Sequence, residues 1–331
     1  MSTRALDAFR VAAVQAAPVF LDCAATVEKA CALTADAAAR GAKLIVFPEA
    51  FVPAYPLWVW WIPAGRTREL RELYAELLEQ SVVVPGPVTE RLGAAARAAR
   101  AHVVIGVNER NAEASGASLY NTILFFGPDG RLLGKHRKLV PTAGERLVHA
   151  QGDGSTLGVY DTPLGRLGGL ICWENYMPLA RYALYAWGVE LYAAPTWDRG
   201  EPWLSTLRHV AKEGRCYVIG CAIAMRKADV PDRFAFKAKY LDTVPEWLNA
   251  GDSAIVDPDG RMIAGPAHDE ETIIVAEVRR EQLRGPKWQL DVTGHYSRPD
   301  VLQLVVDRRV RGVMRADELV KDSSSKRPRR R

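Results

Sequence analysis

Arg166-Leu167-Gly168-Gly169-Leu170-Ile171-Cys172-Trp173-Glu174-Asn175 reads as a Gly-rich apolar strand that runs out into a tight polar turn, with Pro178 just beyond it opening a helix. Strand, turn and helix in succession form the repeating unit of an α/β protein. Two other strand-like runs also stop at a charged residue: Lys43-Leu44-Ile45-Val46-Phe47-Pro48-Glu49 and Arg131-Leu132-Leu133-Gly134-Lys135-His136-Arg137-Lys138. A thiol, a carboxylate and an ammonium, each delivered by its own strand end, are the parts of an enzyme that attacks its substrate covalently.

The same grammar extends along the chain. A first strand is expected at Val11 to Ala16, an Ala-rich helix from Cys23 to Arg40 stopped at Gly41, and helices at Thr67 to Gln80 and Val88 to Ala101, the latter entered through Pro87. Gly127-Pro128-Asp129-Gly130 and Asp257-Pro258-Asp259-Gly260 each mark a hairpin, and Thr162-Pro163-Leu164-Gly165 a third, whose second arm ends at Cys172. Helices at Pro178 to Trp187 and Trp203 to Glu213 alternate with strands at Val189 to Ala194 and Cys216 to Ala224. Helices interleaved with strands and hairpins imply mixed sheets covered by helices, with active groups gathered at one edge of the strands. No linker divides the run, so one domain is expected over residues 1–310, followed by an extension over 311–331.

A chain of 331 residues buries roughly 75% of its unfolded surface without disulfide staples. Its five cysteines are odd in number, lack C-x-x-C spacing and follow an N-terminus without an apolar signal region, which points to a reduced, cytoplasmic protein. The most apolar stretch, Phe51 to Ala64, is broken by three prolines and falls short of a membrane span. Net charge is +5, but Lys326, Arg327, Arg329, Arg330 and Arg331 account for all of it; without them 39 basic residues face 39 acidic ones. A short basic end after Ser323 to Ser325 is expected to be disordered, and nothing else suggests nucleic acid as a partner.

A free thiol is mostly protonated at neutral pH, so a catalytic cysteine needs a base or a cation beside it. Glu49 and Lys138 supply both, Glu49 taking the thiol proton and later activating water, Lys138 favouring negative charge at the attacked atoms. The backbone N–H of Trp173 is the expected second donor to that charge. Cys23, Cys31, Cys216 and Cys221 lie in an Ala-rich helix or an apolar strand and read as structural thiols. Taken alone, Lys138 also fits a solvated cluster with Lys135 and Arg137. A cysteine–histidine pairing through His136, His149, His209 or His295 has no local signature, the six histidines show no metal-ligand spacing, and Gly152-Asp153-Gly154 lacks the third glycine of a dinucleotide fingerprint. No metal and no cofactor is expected.

Phe47-Pro48-Glu49-Ala50-Phe51, Lys135-His136-Arg137-Lys138-Leu139-Val140-Pro141-Thr142 and Cys172-Trp173-Glu174-Asn175-Tyr176-Met177-Pro178-Leu179 resemble the three signature blocks of the nitrilase superfamily, in that order, and specifically those of its true nitrilase branch. Gly144-Glu145-Arg146, Ala194-Pro195-Thr196 and Gly294-His295-Tyr296-Ser297-Arg298-Pro299 extend the likeness over roughly residues 9 to 303. The resemblance implies an α/β fold of the αββα type, a four-layer sandwich of two mixed β-sheets flanked by helices, self-associating into dimers and spiral oligomers. It also implies catalytic Glu49, Lys138 and Cys172 with Glu145 as a second carboxylate, and it selects Lys138 over Lys135. The Cys-Trp-Glu triplet separates this branch from amidases and carbamoyl hydrolases, the alternative that uses the same three groups.

Under that resemblance the chain hydrolyses a small-molecule nitrile through a thioimidate and a thioester, releasing ammonia and a carboxylic acid, with diversion to an amide as the side branch. The reading requires the sulfur to be ionised between an acid and a cation. Tyr55, Trp58, Trp60, Trp61 and Trp197 lie close in sequence to the catalytic strand ends and are candidates for an aromatic substrate pocket. The opposing expectation is that Leu57 to Ile62 packs into the core or at a subunit interface.

Overall fold

Alternation of side chains along each strand decides the layers. The computed structural model describes residues 8–312, so the basic C-terminal tail lies outside the described residues. A first group comprises β1 (Ala8–Gln15), β2 (Ala42–Val46), β3 (Val82–Val83), β4 (His102–Arg110), β5 (Leu119–Phe126) and β6 (Leu132–Arg137), and in β1, β2, β4 and β5 the apolar residues occupy both faces, the pattern of a sheet covered on both sides. A second group follows: β7 (Val159–Thr162), β8 (Gly165–Gly169), β9 (Leu191–Thr196), β10 (Tyr217–Ala222), β11 (Ala224–Arg226), β12 (Trp247–Val256) and β13 (Met262–His268). The last strand, β14 (Thr272–Arg279), returns to the first group.

Two seven-stranded sheets result, ordered β14-β1-β2-β4-β5-β6 with β3 on β4, and β11-β12-β10-β9-β8-β7 with β13 on β12. Both are mixed: β1, β2 and β4 run parallel, as do β8, β9 and β10, while the hairpin strands at the edges are antiparallel. Val11, Leu44, Val104 and Phe125 from the first sheet meet Leu167, Leu191, Ile219 and Ile255 from the second in a core between the sheets. The intervening residues Ala12, Ile45, Val103 and Ile105 face outward onto Val27, Ala30, Leu92 and Ala96 of α1 (Cys23–Ala39) and α3 (Pro87–Ala99), which flank α2 (Thr67–Gln80) in sequence. On the far side Tyr192, Val218 and Val256 face α4 (Pro178–Ala186) and α5 (Glu201–Gly214) through Leu184, Leu204 and Leu207. The αββα sandwich implied by the resemblance is the observed architecture.

Local chemistry explains the boundaries. The α1 helix starts where Asp22 accepts the Ala25 N–H at 2.9 Å and stops before Gly41, whose φ is +87°. Gly127-Pro128-Asp129-Gly130 closes the β5–β6 hairpin, with the Gly127 N–H donating to Arg131 O at 2.9 Å. One expectation needs correcting: β2 ends at Val46 rather than running to Glu49. Pro48 has no N–H to give to a ladder, so the chain leaves the sheet there and Glu49 sits in the turn beyond it. Among the described residues no helix is long and apolar enough to cross a membrane.

Candidate active site

Glu49 arrives on the turn after β2, and that turn lies directly on β4. A Cβ on Gly106 would stand 2.3 Å from Pro48 O and 2.4 Å from Ala50 N, so only glycine lets the turn settle against the strand. The Glu49 carboxylate is fully buried and accepts the Trp197 backbone N–H at 2.6 Å and the Asn121 amide at 2.9 Å. Lys138 follows β6, anchored by its own N–H to Asn121 O at 2.8 Å. Its ammonium lies 3.4 Å from Glu49 Oε2 and 2.7 Å from Glu145 Oε2. Glu145 sits in the short helical turn Ala143–Leu147, where it also accepts the Thr142 N–H at 3.0 Å and the Tyr55 hydroxyl at 2.8 Å.

Cys172 begins a tight helical turn, Cys172–Tyr176, just after β8. Its φ is +51°, a left-handed conformation that costs a side-chain-bearing residue on the order of 1–3 kcal/mol and persists only where the surroundings enforce it. Asn175 enforces it here: its amide donates to Cys172 O at 2.8 Å and Leu170 O at 3.2 Å, while its carbonyl oxygen Oδ1 accepts the Tyr192 hydroxyl at 2.8 Å. Gly169 is required for the approach, since a Cβ there would lie 2.3 Å from Ala193 O of the neighbouring strand. The thiol so presented faces the Glu49 carboxylate and the Thr196 hydroxyl, with Lys138 and Glu145 close enough to act on its charge. The strand ends that carry Glu49, Lys138 and Cys172 therefore converge on one buried cluster, and Glu145 joins them.

The charges in this cluster are unequal. Burial pushes the Lys138 ammonium down, but the two facing carboxylates overcome it and hold the lysine charged well above its ordinary range. Burial also raises Glu145, yet Lys138 and the Thr142 N–H bring it below the usual carboxylate value. Glu49 goes the other way: burial raises it, Lys138 only partly offsets this, and neighbouring Glu145 raises it further. Burial and then Glu49 push the Cys172 thiol well above its ordinary value. Burial first, and then the Glu49 carboxylate, favour the neutral thiol over the ionised sulfur that the sequence reading required, and Lys138 offsets this only in part.

The aromatic candidates divide. Tyr55 is buried, stacks on Trp197 with ring centres 4.4 Å apart and planes 9° from parallel, and receives the Trp60 indole N–H at 3.1 Å. Trp58 is fully buried against Phe20 and Phe236, a core residue, as are Leu57, Val59 and Ile62. Trp61 packs at the edge of that apolar cluster. Only Trp60 among the five is exposed, at 41%. Trp173 is exposed at 53%, its indole N–H on Asp198 at 2.9 Å, and its backbone N–H donates to no protein acceptor among the described residues.

Several partners escaped the sequence reading. Asn121 sits in the buried, mostly apolar strand β5, where a polar amide is itself a signal, and Thr196 and Asn249 hold the loop after β9, the former by accepting the Asp198 N–H and the latter by donating to Trp197 O. His149 Nε2 donates to Asn108 Oδ1, 2.8 Å away, and burial keeps it neutral with its pKa pushed down to about 4. Of the other thiols, Cys216 and Cys221 are buried, and Cys221 donates to Val14 O and Val46 O across the sheet interface. Among the described residues no group of three or more His, Cys, Asp or Glu side chains is arranged to hold a metal ion.

Comparison with known proteins adds four findings. The carbon-nitrogen hydrolase family profile matches residues 10–286. An aliphatic nitrilase of Sinorhizobium fredii is 47% identical over 301 residues, covering 90% of this chain and 96% of its own. A bifunctional nitrilase/nitrile hydratase, NIT4A of Lupinus angustifolius, is 44% identical over 90% of this chain and 85% of its own. Among solved structures, Saccharomyces cerevisiae Nit3, a member of branch 10 of the nitrilase superfamily, superposes with a TM-score of 0.68 over 88% of this chain and 97% of its own, at 22% identity, which speaks to the fold alone.

Proposed function

The chain belongs to the carbon-nitrogen hydrolase family, in its nitrilase branch, and on that premise we propose that it hydrolyses an organic nitrile to the carboxylic acid and ammonia at Cys172. The observation that carries the chemistry is a single ammonium, Lys138, shared by two buried carboxylates, of which the raised one, Glu49, faces the thiol. A carboxylate short of positive charge is a stronger base, and a neutral thiol beside it is a proton donor ready to become a nucleophile at the moment of attack.

In the first step Cys172 Sγ bonds to the nitrile carbon as its proton passes through Glu49 to the nitrile nitrogen, giving a thioimidate. Glu49, again ionised, then takes a proton from a water that adds to the same carbon, and the nitrogen receives it. The resulting tetrahedral species loses its C–N bond: the hydroxyl proton moves to nitrogen, ammonia departs and a thioester remains. A second water, activated in the same way, breaks the C–S bond and returns the thiol, so that one nitrile and two waters give one acid and one ammonia. Lys138 and the free Trp173 N–H supply positive charge where negative charge develops. Glu145 keeps Lys138 in place and charged.

The same tetrahedral species releases an amide if the C–S bond breaks first. The name of the lupin relative supports that outcome as a second product of this site. Incubation with aliphatic, aromatic and arylaliphatic nitriles, with ammonia, acid and amide each quantified, tests the proposal. Turnover of phenylacetamide without turnover of any nitrile would replace it with an amidase. With Tyr55 and Trp197 stacked on each other, Trp60 and Trp173 are the aromatic faces left to meet the substituent of the nitrile.

The wider setting is part of the same reading. Five free thiols suit a reducing compartment, the cytoplasm. Self-association is supported by Leu179 on α4 with Tyr296 and Leu302, exposed at 67%, 67% and 77%, and light scattering on the full chain tests it.

A further inference from the structure

Lys138 and Cys172 come from strand ends in different sheets, and their separation decides whether the ammonium reaches charge developing on an atom bonded to the sulfur. One side chain ties the two strand ends together. Glu174, 1% exposed, accepts the backbone N–H of Ile171 at 2.8 Å and that of Leu139 at 2.7 Å. Ile171 immediately precedes Cys172 and Leu139 immediately follows Lys138. Both carboxylate oxygens also lie 3.1 Å from His136 Nε2, two residues before the lysine on β6. A nitrogen facing a carboxylate at that distance carries the hydrogen, so His136 donates and Glu174 accepts throughout.

We propose that Glu174, held by His136, is a positioning residue that sets the distance between the Lys138 ammonium and the Cys172 sulfur. The assignment rests on the roles given above to Lys138 and Cys172. Half of this arrangement is local: a glutamate in the third position of a turn reaching back to the N–H before it is a common N-terminal cap. The other half is not. A cap has no need of the Leu139 N–H from the opposite sheet, nor of a buried imidazole. Burial raises the Glu174 carboxyl, yet His136 and the two N–H donors overcome this and hold it ionised below the usual range, which keeps it an acceptor on both oxygens.

Glu174→Gln preserves size but turns one oxygen into an NH2 group, so one of the two backbone donors loses its acceptor. His136→Gln retains a donor toward Glu174, whereas His136→Leu removes it. Thermal midpoint, kcat and KM for a nitrile, and the rate of Cys172 alkylation by iodoacetamide are measured on each full-length variant. Glu174→Gln and His136→Leu are expected to lower kcat by about 10- to 100-fold with KM changed by less than about threefold, because a displacement near one ångström costs about that much. Alkylation should slow in parallel, and His136→Gln should recover most of both rates.

Folded Glu174→Gln enzyme with wild-type kcat and alkylation would overturn the proposal, as would a lower midpoint with unchanged reactivity per folded molecule. If Glu174→Gln does not fold, the two His136 variants decide: equal rates in both overturn it, and recovery by glutamine alone supports it. Wild-type enzyme whose Cys172 alkylates in a Glu174-dependent way yet turns over no nitrile leaves the clamp standing and removes the nitrilase reading instead.

Discussion

Lys135 and Lys138 lie three residues apart in one segment, and each ends on a buried glutamate, but the two clusters are electrostatic opposites. Around Glu109 one carboxylate meets two cations, Lys135 and Arg137, with Thr122 donating at 2.8 Å and Arg137 stacked 4.1 Å above Tyr120. Burial raises Glu109, but those cations outweigh it and hold it below the usual range. Around Lys138 one cation meets two carboxylates and a thiol. The first cluster is satisfied and the second is one positive charge short; burial raises Glu49, Lys138 offsets this only in part and Glu145 raises it further, which suits Glu49 to the role of base proposed above. Excess carboxylate, rather than proximity of charges as such, separates the two clusters.

Five measurements break or sharpen this contrast. The largest effect is expected from Lys138→Ala: kcat falls on the order of 10³-fold or more for loss of the donor, and two buried carboxylates left without their cation cost about 3–5 kcal/mol of stability. Nitrile turnover and thermal unfolding read the two quantities separately. Next comes Glu49→Gln, which removes the base and is expected to lower kcat by about 10²- to 10⁴-fold while relieving the repulsion with Glu145, so that its melting point does not fall with its activity.

The pH profile follows from the same imbalance. Glu49 must be ionised to accept a proton, and its pKa is raised, so kcat/KM should fall with acid at a pH above the ordinary glutamate range. Lys138 is pushed up and produces no alkaline loss near neutrality. An acid limb at the ordinary glutamate value would mean that burial and Glu145 do not raise Glu49. For stability the sign is opposite between a raised lysine and a lowered carboxylate: the contribution of Lys138 is complete below its unfolded pKa and vanishes as pH rises through the higher folded one. That of Glu174 is present above its unfolded pKa and lost as pH falls through the lower folded one.

A smaller loss is expected from Tyr55→Phe, which deletes the hydroxyl that donates to Glu145 and accepts from Trp60; about 1.5–3 kcal/mol for a hydrogen bond to a charged group sets the scale in both kcat and stability. The smallest belongs to Lys135→Ala. Glu109 keeps its paired Arg137 and the Thr122 hydroxyl, so the loss of stability is smaller than for Lys138→Ala, with turnover nearly unchanged. Equal inactivation by Lys135→Ala and Lys138→Ala would erase the distinction between the clusters.

Much of this was legible in the chain. Hairpin turns, the Ala-rich helix and the apolar strands announce themselves through composition and short-range period, because those signals act within a few residues. Glu49, Lys138 and Cys172 stood out for a related reason: a charged or reactive residue at the end of an apolar run is rarely idle. Asn121 was passed over inside such a run, and Glu174 was read only as part of a motif, because what each touches is 72 or 35 residues away. Tyr55 and Trp58 looked alike as aromatics in one loop, yet one caps Glu145 and the other fills the core, a difference that no local pattern encodes.

Local order, the alternation that builds two covered sheets, and the identity of the reactive groups are written in the residues themselves, since each depends on neighbours along the chain. Which cation meets which carboxylate, which oxygen is left in excess, and whether the sulfur carries a charge at rest depend on separations between strands far apart in sequence. Coulomb and desolvation energies vary steeply with those distances and with exclusion of water, so only the packed sandwich settles them.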